Sequence, residues 1–170
     1  MELILSNAKL RPWNANDAFA LASHANNKKI ADNMRDGFPY PYTLDDAHTW
    51  LGMAIKEMKH LLLAIEVDGE AAGGIGIIFK ENVYRYSAET GYWLGERHWR
   101  KGITSEAIAK LSDYIFSTTS IVRLYAEIFS PNTASMRTIE KAGYQLEAIN
   151  RNAVFKNEKL LDQHVYARIR

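Results

Sequence analysis

The sequence predicts a mixed α/β domain, of the α+β kind, in which helical and extended segments follow one another along one chain. Apolar residues recur at three- and four-residue spacing in some segments and alternate in others, and turn-forming residues separate them. The order is one strand, helices, three strands, a helix, a strand, a helix and two strands. The chain has 170 residues and shows no linker, repeat or low-complexity segment. We therefore expect a single domain over residues 1–170.

The first part of the chain is predicted to be mostly helical after an initial strand. The expected elements are a strand over 3–10, helices within 14–26 and 28–34, an irregular loop over 35–43, and a helix from 43 to 58. Pro39 and Pro41 exclude a regular helix from the loop. Thr43 followed by Asp46 has the spacing of a capping box, so the last of these helices should begin there.

The second part is richer in strands. We expect strands over 61–67, 71–79, 86–94, 121–129, 144–155 and 160–169, and helices over 102–118 and 132–143. Asp68-Gly69 is a strong hairpin signal between the first two strands of this set. Gly143 is a typical helix stop, and the last two strands should turn at Lys156-Asn157.

Composition excludes several classes of function. The chain has no cysteine, so disulfides, thiolate nucleophiles and cysteine metal sites are ruled out. The formal net charge of +1 predicts no nucleic-acid partner. The five histidines show no metal-ligand spacing, so no metal is expected. No segment has the pattern of a signal peptide or the apolar length of a membrane span, which predicts a cytoplasmic protein without membrane contact.

The stretch Trp99–Ala107 (WRKGITSEA) places two cations and a glycine ahead of a helical pattern. The first N–H groups of a helix have no intrahelical partner, and the helix dipole adds positive charge, so an anion is favoured there. Gly102 would let the oxygens of that anion approach the backbone. A solvated basic turn that caps an ordinary helix is the alternative. The basic side chains just before the helix are Arg97, His98, Arg100 and Lys101.

Two motifs carry a family resemblance. The segments ETGYWLGERHWRKGITSEA (89–107) and NTASMRTIEKAGY (132–144) resemble the GNAT N-acetyltransferase superfamily, in its RimJ/RimL-type branch of ribosomal-protein N-terminal acetyltransferases. The resemblance implies a GNAT fold: a central, mostly antiparallel, twisted sheet of about seven strands, flanked by helices and splayed between strands four and five. It also implies the transfer of an acetyl group from acetyl-CoA, as co-substrate, to a primary amine.

The same resemblance identifies the anion as the pyrophosphate of coenzyme A. Leu94, at the end of the fourth strand, would offer main-chain groups to the pantetheine arm, and its N–H would polarise the thioester carbonyl. Asn132 would hydrogen-bond the arm. Thr104 stands where the family usually has alanine or glycine. The backbone amides expected to cradle the pyrophosphate are those of Arg100, Lys101, Gly102, Ile103, Thr104 and Ser105.

The resemblance also implies the catalytic groups. Ile139 stands where many members carry a tyrosine that protonates the leaving thiolate, so we assign that role to Ser135, which matches a serine of the RimL-type branch. Glu89 is the candidate general base, acting through a water in a partly apolar cleft whose desolvation would strengthen it as a base. Glu127 is the competing base. Glu89 could instead pair with a nearby cation, and Ser135 could be an ordinary first-turn residue.

The acceptor is the least determined part of the prediction. Because no cysteine can carry an acetyl group, the amine is expected to attack directly in a ternary complex. It should lie between residues 30–42 and 150–160, where Phe38, Tyr40 and Tyr42 could line a slot and where Asp32 and Asp36 could attract a cation. A peptide N-terminus and a small-molecule amine both remain open, as does a homodimer. A non-catalytic acyl-CoA-binding sensor is the alternative function.

Overall fold

A computed structural model describes residues 1–170 as one eight-stranded sheet with helices on both faces. The strands are β1 (Leu3–Ile4), β2 (Lys9–Pro12), β3 (Leu61–Val67), β4 (Glu70–Phe79), β5 (Ser87–Leu94), β6 (Arg123–Phe129), β7 (Gln145–Lys156) and β8 (Lys159–Ile169). The helices are α1 (Ala18–Ala25), α2 (Lys28–Ala31), α3 (Leu44–Ala54), α4 (Ile103–Thr118) and α5 (Thr133–Lys141). The predicted mixed fold is confirmed. None of the helices combines the length and apolar character that a membrane crossing needs.

The sheet order is β1-β2-β3-β4-β5-β6-β8-β7, and every neighbouring pair is antiparallel except β5 and β6. The parallel pair is held together at only three positions, Ser87–Glu89 against Arg123–Tyr125. The rest of β5 diverges from β6. The predicted splay is therefore present, between the strands that the sequence order counts as four and five.

Two apolar cores lie on opposite faces of the sheet because side chains alternate along each strand. On one face Leu63 and Ile65 of β3 pack under α4 and α5. On the other face Ala64 packs under α1 and α3, together with Trp13 and Trp93. Trp50 of α3 is partly buried in this second core, where its ring packs edge-on against Trp13 with 4.9 Å between the ring centroids.

The start and stop signals read from the sequence mostly hold. Thr43 and Asp46 form the capping box of α3, and α4 occupies almost the predicted range with Gly102 as its N-cap. Asp68 and Gly69 both have positive φ, as the tight turn between β3 and β4 requires. Gly143 has a φ of +88° just after α5.

Several boundaries differ from the prediction: α2 ends at Ala31 instead of residue 34, and β6 begins at Arg123 instead of residue 121. The expected first strand is split into β1 and β2, since Leu5 N–H donates to Ala8 C=O across a turn, and this gives eight strands instead of seven. Helix α3 ends at Ala54, which leaves Met58 almost fully exposed. The final turn uses Asn157 and Glu158, both with positive φ, one residue later than expected.

Candidate active site

A small cavity lies at the start of α4, where the sequence predicts an anion. Gly102 has a φ of +79°, and a Cβ added to it would meet no atom within 4 Å. Within α4 the N–H groups of Ile103, Thr104 and Ser105 have no partner, since the first intrahelical bond is that of Glu106 to Gly102 C=O. The cavity is therefore lined by free backbone donors. Its lining residues are His98, Arg100, Lys101, Gly102, Ile103, Thr104, Ser105, Thr138 and Lys141.

The charge around this cavity is positive and uncompensated. Arg100, Lys101 and Lys141 make no ion pair or side-chain hydrogen bond within the protein. The single acid in the first turn of α4, Glu106, is held by Ser6 and Lys110. Three free cations beside free backbone N–H groups form a site for a phosphate-like anion. The sequence analysis missed the contribution of α5, because Lys141 reaches the cavity only through the packing of α5 beside α4.

The backbone of β5 faces the splayed gap at Leu94. Gly95 N–H donates to Ala72 C=O at 2.8 Å across the Leu94–Gly73 pair, so this pair is of the non-hydrogen-bonded kind. The peptide groups of Leu94 and, two residues earlier, Tyr92 consequently point away from β4. Strand β6 is no longer paired to β5 at this level. The N–H of Leu94 is thus directed into the gap, as its predicted role requires.

Only one of the two main-chain groups of Leu94 is free. Trp99 Nε1–H donates to Leu94 C=O at 2.6 Å. This bond links the end of β5 to the segment that precedes α4, and it engages the carbonyl oxygen of Leu94. Of the main-chain groups that the sequence analysis assigned to Leu94, the N–H remains available.

Glu89 lies on the opposite face of the sheet from the anion cavity. The side chains of Ala88, Tyr92 and Leu94 point to the α4/α5 face, whereas Trp93 points to the α1/α3 face. Glu89, which is an even number of residues from Trp93, shares the second face. It stands at the last position where β5 pairs with β6, beside the beginning of the gap.

The surroundings of Glu89 are ionic, whereas the sequence analysis expects a partly apolar cleft. Lys80 Nζ lies 2.8 Å from Glu89 Oε2, and the Arg35 guanidinium contacts the other oxygen. Arg35 also lies 2.9 Å from Glu127 Oε2, which accepts a hydrogen bond from Gln163 at 3.0 Å. The two candidate bases are therefore bridged by one cation. The side chain of Glu89 is only 12% exposed, and that of Arg35 is 66% exposed.

Ser135 and Asn132 lie at the mouth of the gap. Parallel β5 and β6 end at the same edge of the sheet, and α5 begins directly after β6. Asn132 is the N-cap of α5, and its Oδ1 accepts from Ser135 N–H at 3.1 Å. The Nδ2 of Asn132 makes no bond within the protein and is free to donate. Ile139 is fully buried, so the position where many GNAT members carry a tyrosine contributes to the core here.

The Ser135 hydroxyl has one partner, and the sequence analysis did not identify it. Tyr92 Oη lies 2.8 Å from Ser135 Oγ. Burial raises the pKa of the Tyr92 phenol well above its ordinary value. The two residues are 43 positions apart, so no local motif signals the contact.

A second cavity lies where the acceptor is predicted to bind, between the loop after α2 and the β7–β8 hairpin. It is lined by Arg35, Asp36, Phe129, Ala153, Val154, Phe155, Lys156 and Gln163. Asp36 is paired with Lys156 at 2.8 Å, and Asp32 with Lys28 at 2.7 Å, so neither acid is free in this state. Phe38 and Tyr42 pack into the α1/α3 core, and only Tyr40 of the three loop aromatics is exposed.

The fold brings together two histidines that the sequence analysis treated as scattered. His24, His98 and Glu70 place ligand atoms within 4.8 Å of one another, which is compatible with a metal ion. The Arg97 side chain lies among them: it pairs with Glu70, and its nitrogens lie 2.9 Å from His24 Nε2 and 3.0 Å from His98 Nε2. Burial, reinforced by Arg97, lowers the pKa of both histidines. Arg97 thus supplies the positive charge at this cluster.

The fold, the gap and the cavity at the start of α4 match the arrangement that the resemblance implies for an acetyltransferase. Residues 8–145 match the acetyltransferase (GNAT) domain family, and the chain belongs to that family. One relative is a ribosomal-protein acetyltransferase, which supports the resemblance to the RimJ/RimL-type branch. The ribosomal-protein-serine acetyltransferase of Escherichia coli (strain K12) is 32% identical over 83 residues, which is 49% of this chain and 46% of that protein.

Two further proteins are similar. The "Uncharacterized N-acetyltransferase YoaA" of Bacillus subtilis (strain 168) is 37% identical over 98 residues, covering 58% of this chain and 55% of the relative. The structure of RimL, the ribosomal L7/L12 alpha-N-protein acetyltransferase, in complex with coenzyme A superposes with a TM-score of 0.87 at 22% identity, over 98% of this chain and 96% of RimL. The sequence matches thus span about half the length of the curated relatives.

Proposed function

We propose that this protein is an N-acetyltransferase that moves the acetyl group of acetyl-CoA to a primary amine by direct attack in a ternary complex. The observation that carries the proposal is the splayed gap. The anion cavity and Ser135 lie on one face of the sheet at the gap, Glu89 lies on the other, and the Leu94 N–H points in between. Donor and acceptor can therefore reach one point from two sides.

The residues at the α4 end fit coenzyme A. The pyrophosphate would bind to the free N–H groups at the start of α4, with charge from Arg100, Lys101 and Lys141. The left-handed Gly102 leaves room for the phosphate oxygens, since nothing lies near its missing Cβ. Asn132 Nδ2 would donate to the pantetheine arm. Bound acetyl-CoA would supply an activated thioester carbonyl.

The chain's own groups match the needs of acetyl transfer. The N–H of Leu94 would stabilise negative charge on the thioester oxygen. Glu89, on the acceptor side, would take the ammonium proton through a water before attack, with Glu127 as the alternative base. Ser135 would donate a hydrogen bond to the departing thiolate. No side chain is required to carry the acetyl group, and the chain offers no cysteine for that purpose.

The acceptor is a primary amine that enters from the cavity between the loop after α2 and the β7–β8 hairpin. Arg35 lines this cavity and pairs with both Glu89 and Glu127, so an amine that arrives as a cation would take the place of Arg35 beside the two carboxylates. Resemblance to RimL, which is named for acetylation of a ribosomal-protein N-terminus, supports a peptide N-terminus as one candidate, and a small-molecule amine is the other.

The proposal is tested by thiol release from acetyl-CoA with a panel of peptides and small amines. We expect coenzyme A to bind in calorimetry and at least one amine to accelerate thiol release. Mass spectrometry should place the acetyl group on that amine. Coenzyme A binding without turnover for any amine would favour the sensor, and no binding would refute the proposal.

A further inference from the structure

The contact between Tyr92 and Ser135 has a defined direction. The Tyr92 hydroxyl proton has two acceptors within reach, Ser135 Oγ at 2.8 Å and Ser135 C=O at 3.5 Å. An O–H···O bond is strongest near 2.7–2.8 Å and is weak at 3.5 Å. If Ser135 donated to Tyr92, the buried phenol would keep only the weak acceptor. Since buried hydroxyl protons are rarely left without a good acceptor, Tyr92 donates and Ser135 accepts.

This direction leaves the Ser135 proton without an acceptor in the protein. Ser135 Oγ makes no other side-chain bond, whereas hydroxyls elsewhere in the chain donate to the preceding helical turn, as Ser112 does to Ile108 C=O at 2.7 Å. Ser135 lies in the first turn of α5, which begins at the open end of the gap. Its free proton is therefore available to whatever fills the gap.

We infer that Tyr92 is a positioning residue for acetyl transfer: by donating to Ser135 Oγ, it turns the Ser135 proton into the gap, toward the sulfur of coenzyme A. The inference rests on the proposed function and adds a residue to it. The role also explains how a serine can serve where Ile139 replaces a phenol. The phenol is present in the site, but it comes from β5 and acts through Ser135.

The step balances without an added co-reactant. The amine nitrogen forms the new C–N bond, the C–S bond breaks, and its electron pair remains on sulfur. Ser135 O–H donates a hydrogen bond to that thiolate, and Tyr92 O–H compensates Ser135 Oγ for the polarisation. The nitrogen loses two protons: one passes from the ammonium to Glu89 or to water before attack, and one passes to water once the C–N bond has formed, so that a neutral amide and a thiolate are the products. Tyr92 stays a phenol throughout, as the raised pKa of its buried hydroxyl favours.

A second buried phenol provides a matched control. Ser112 donates to Ile108 C=O, so Tyr144 must donate to Ser112 Oγ at 2.8 Å. Tyr144 also lies 3.2 Å from Thr90 Oγ1. It is buried on the same face of the sheet as Tyr92 but makes no hydrogen bond to Ser135. Tyr144→Phe therefore removes the same atom from a similar network away from the gap.

The test measures the pKa of the coenzyme A thiol while the ligand is bound to the protein. Ionisation of the thiol is monitored by ultraviolet difference spectra, with bound desulfo-coenzyme A as the reference. The chain has no cysteine, so the only thiol in the sample is that of the ligand. We expect the pKa of the bound thiol to rise in Tyr92→Phe and in Ser135→Ala, and to rise no further in the double variant. Tyr144→Phe should match the unmodified protein.

Turnover gives a second readout once an acceptor is found. Tyr92→Phe should lower kcat by about 5- to 30-fold, which corresponds to about 1–2 kcal/mol and lies between the values of a neutral hydrogen bond and one to a charged group, with KM for acetyl-CoA within twofold. Its effect should vanish in a Ser135→Ala background. Bound coenzyme A with an unchanged thiol pKa in Tyr92→Phe, or additive losses in the double variant, would overturn this inference alone. Failure of the unmodified protein to bind coenzyme A would overturn the proposed function as well.

Discussion

The guanidinium of Arg35 pairs with the carboxylate of Glu89, although 54 residues separate them along the chain. Glu89 is nearly buried in the sheet, whereas Arg35 extends from an exposed loop. In the proposed mechanism an acceptor ammonium approaches the same carboxylate, so the pair would govern both the reactivity of Glu89 and the access to it.

Glu89→Gln should leave coenzyme A affinity unchanged and lower kcat by roughly 10²- to 10⁴-fold, the range of general-base catalysis. The amide keeps the shape of the side chain but cannot accept the proton. The loss should shrink as pH rises, because the amine then arrives neutral. Glu127→Gln is the matched control and should cost far less. A Glu89→Gln enzyme with the pH–rate profile of the unmodified protein would transfer the base role to Glu127 or to water.

Arg35→Gln should raise kcat/KM for a cationic amine by about two- to fivefold. An exposed ion pair is worth about 0.2–1 kcal/mol, so its loss frees Glu89 at little structural cost. Steady-state kinetics with one amine at fixed acetyl-CoA measures the change. Asp113→Asn, which breaks the Arg168–Asp113 pair on α4 outside the acceptor region, should leave the kinetics unchanged. A higher KM in Arg35→Gln would instead assign Arg35 to acceptor binding.

The segment before α4, Arg100–Gly102, was the most predictable part of the site, because its residues are neighbours in the sequence. Gly102, Arg100 and Lys101 are adjacent in sequence, and the apolar period that follows gives the start of α4 to within one residue. The gap and the side chains at its ends were reached through family resemblance. The first strand was less predictable, since its internal turn at residues 5–8 contains no glycine or proline.

The partners of the site residues could not be read from the sequence. Arg35 meets Glu89, and Tyr92 meets Ser135, only because the sheet order and the loop after α2 bring distant segments together. The same holds for His24 and His98, which both contact the side chain of Arg97, although 73 residues separate His24 from Arg97. Tertiary contacts of this kind decide whether a carboxylate is paired or free, and periodicity carries no information about them.

Gly102→Val should abolish measurable coenzyme A binding. A valine would place its side chain where the phosphate is expected, in a backbone conformation of φ +79° that β-branched residues avoid. Gly69→Val is the matched control, since Gly69 has φ +86°, similarly open surroundings and a place in the β3–β4 turn. Calorimetric titration should show full affinity in Gly69→Val. Equal affinity of both variants would remove the anion site from the start of α4.

The protein should lose stability as the pH falls below about 6.5, the ordinary pKa of histidine. Burial holds the pKa of His24 and His98 lower in the folded state, so the unfolded chain binds more protons in this range. The contribution of the two histidines to stability is therefore fully present above pH 6.5, and it is lost as the pH falls toward their lowered pKa values in the folded state. Thermal melts at pH 5.5 and 7.5 measure this. His98→Gln should flatten the dependence, whereas a substitution of the exposed His48 should not. Equal slopes in both variants would contradict the assignment.

Arg100→Gly should change stability and ligand affinity in opposite directions. Arg100 has a φ of +63°, a left-handed conformation that costs a residue with a side chain about 1–2 kcal/mol, and its guanidinium has no partner in the protein. Glycine removes this strain, which should raise Tm by about 2–8 °C in a chain of this size. It also removes a charge from the anion cavity, so coenzyme A affinity should fall by about 1.5–3 kcal/mol, the value of a charge-assisted hydrogen bond.

Two further substitutions at Arg100 separate these effects. Arg100→Ala removes the charge and keeps the strained conformation, so affinity should fall as in Arg100→Gly while Tm stays near that of the unmodified protein. Arg100→Lys keeps a cation and should retain most of the affinity. Differential scanning calorimetry and calorimetric titration on the three variants give both quantities. If Arg100→Ala and Arg100→Gly bind coenzyme A as tightly as the unmodified protein, the pyrophosphate is held by the backbone of α4 and by Lys101 and Lys141, without Arg100.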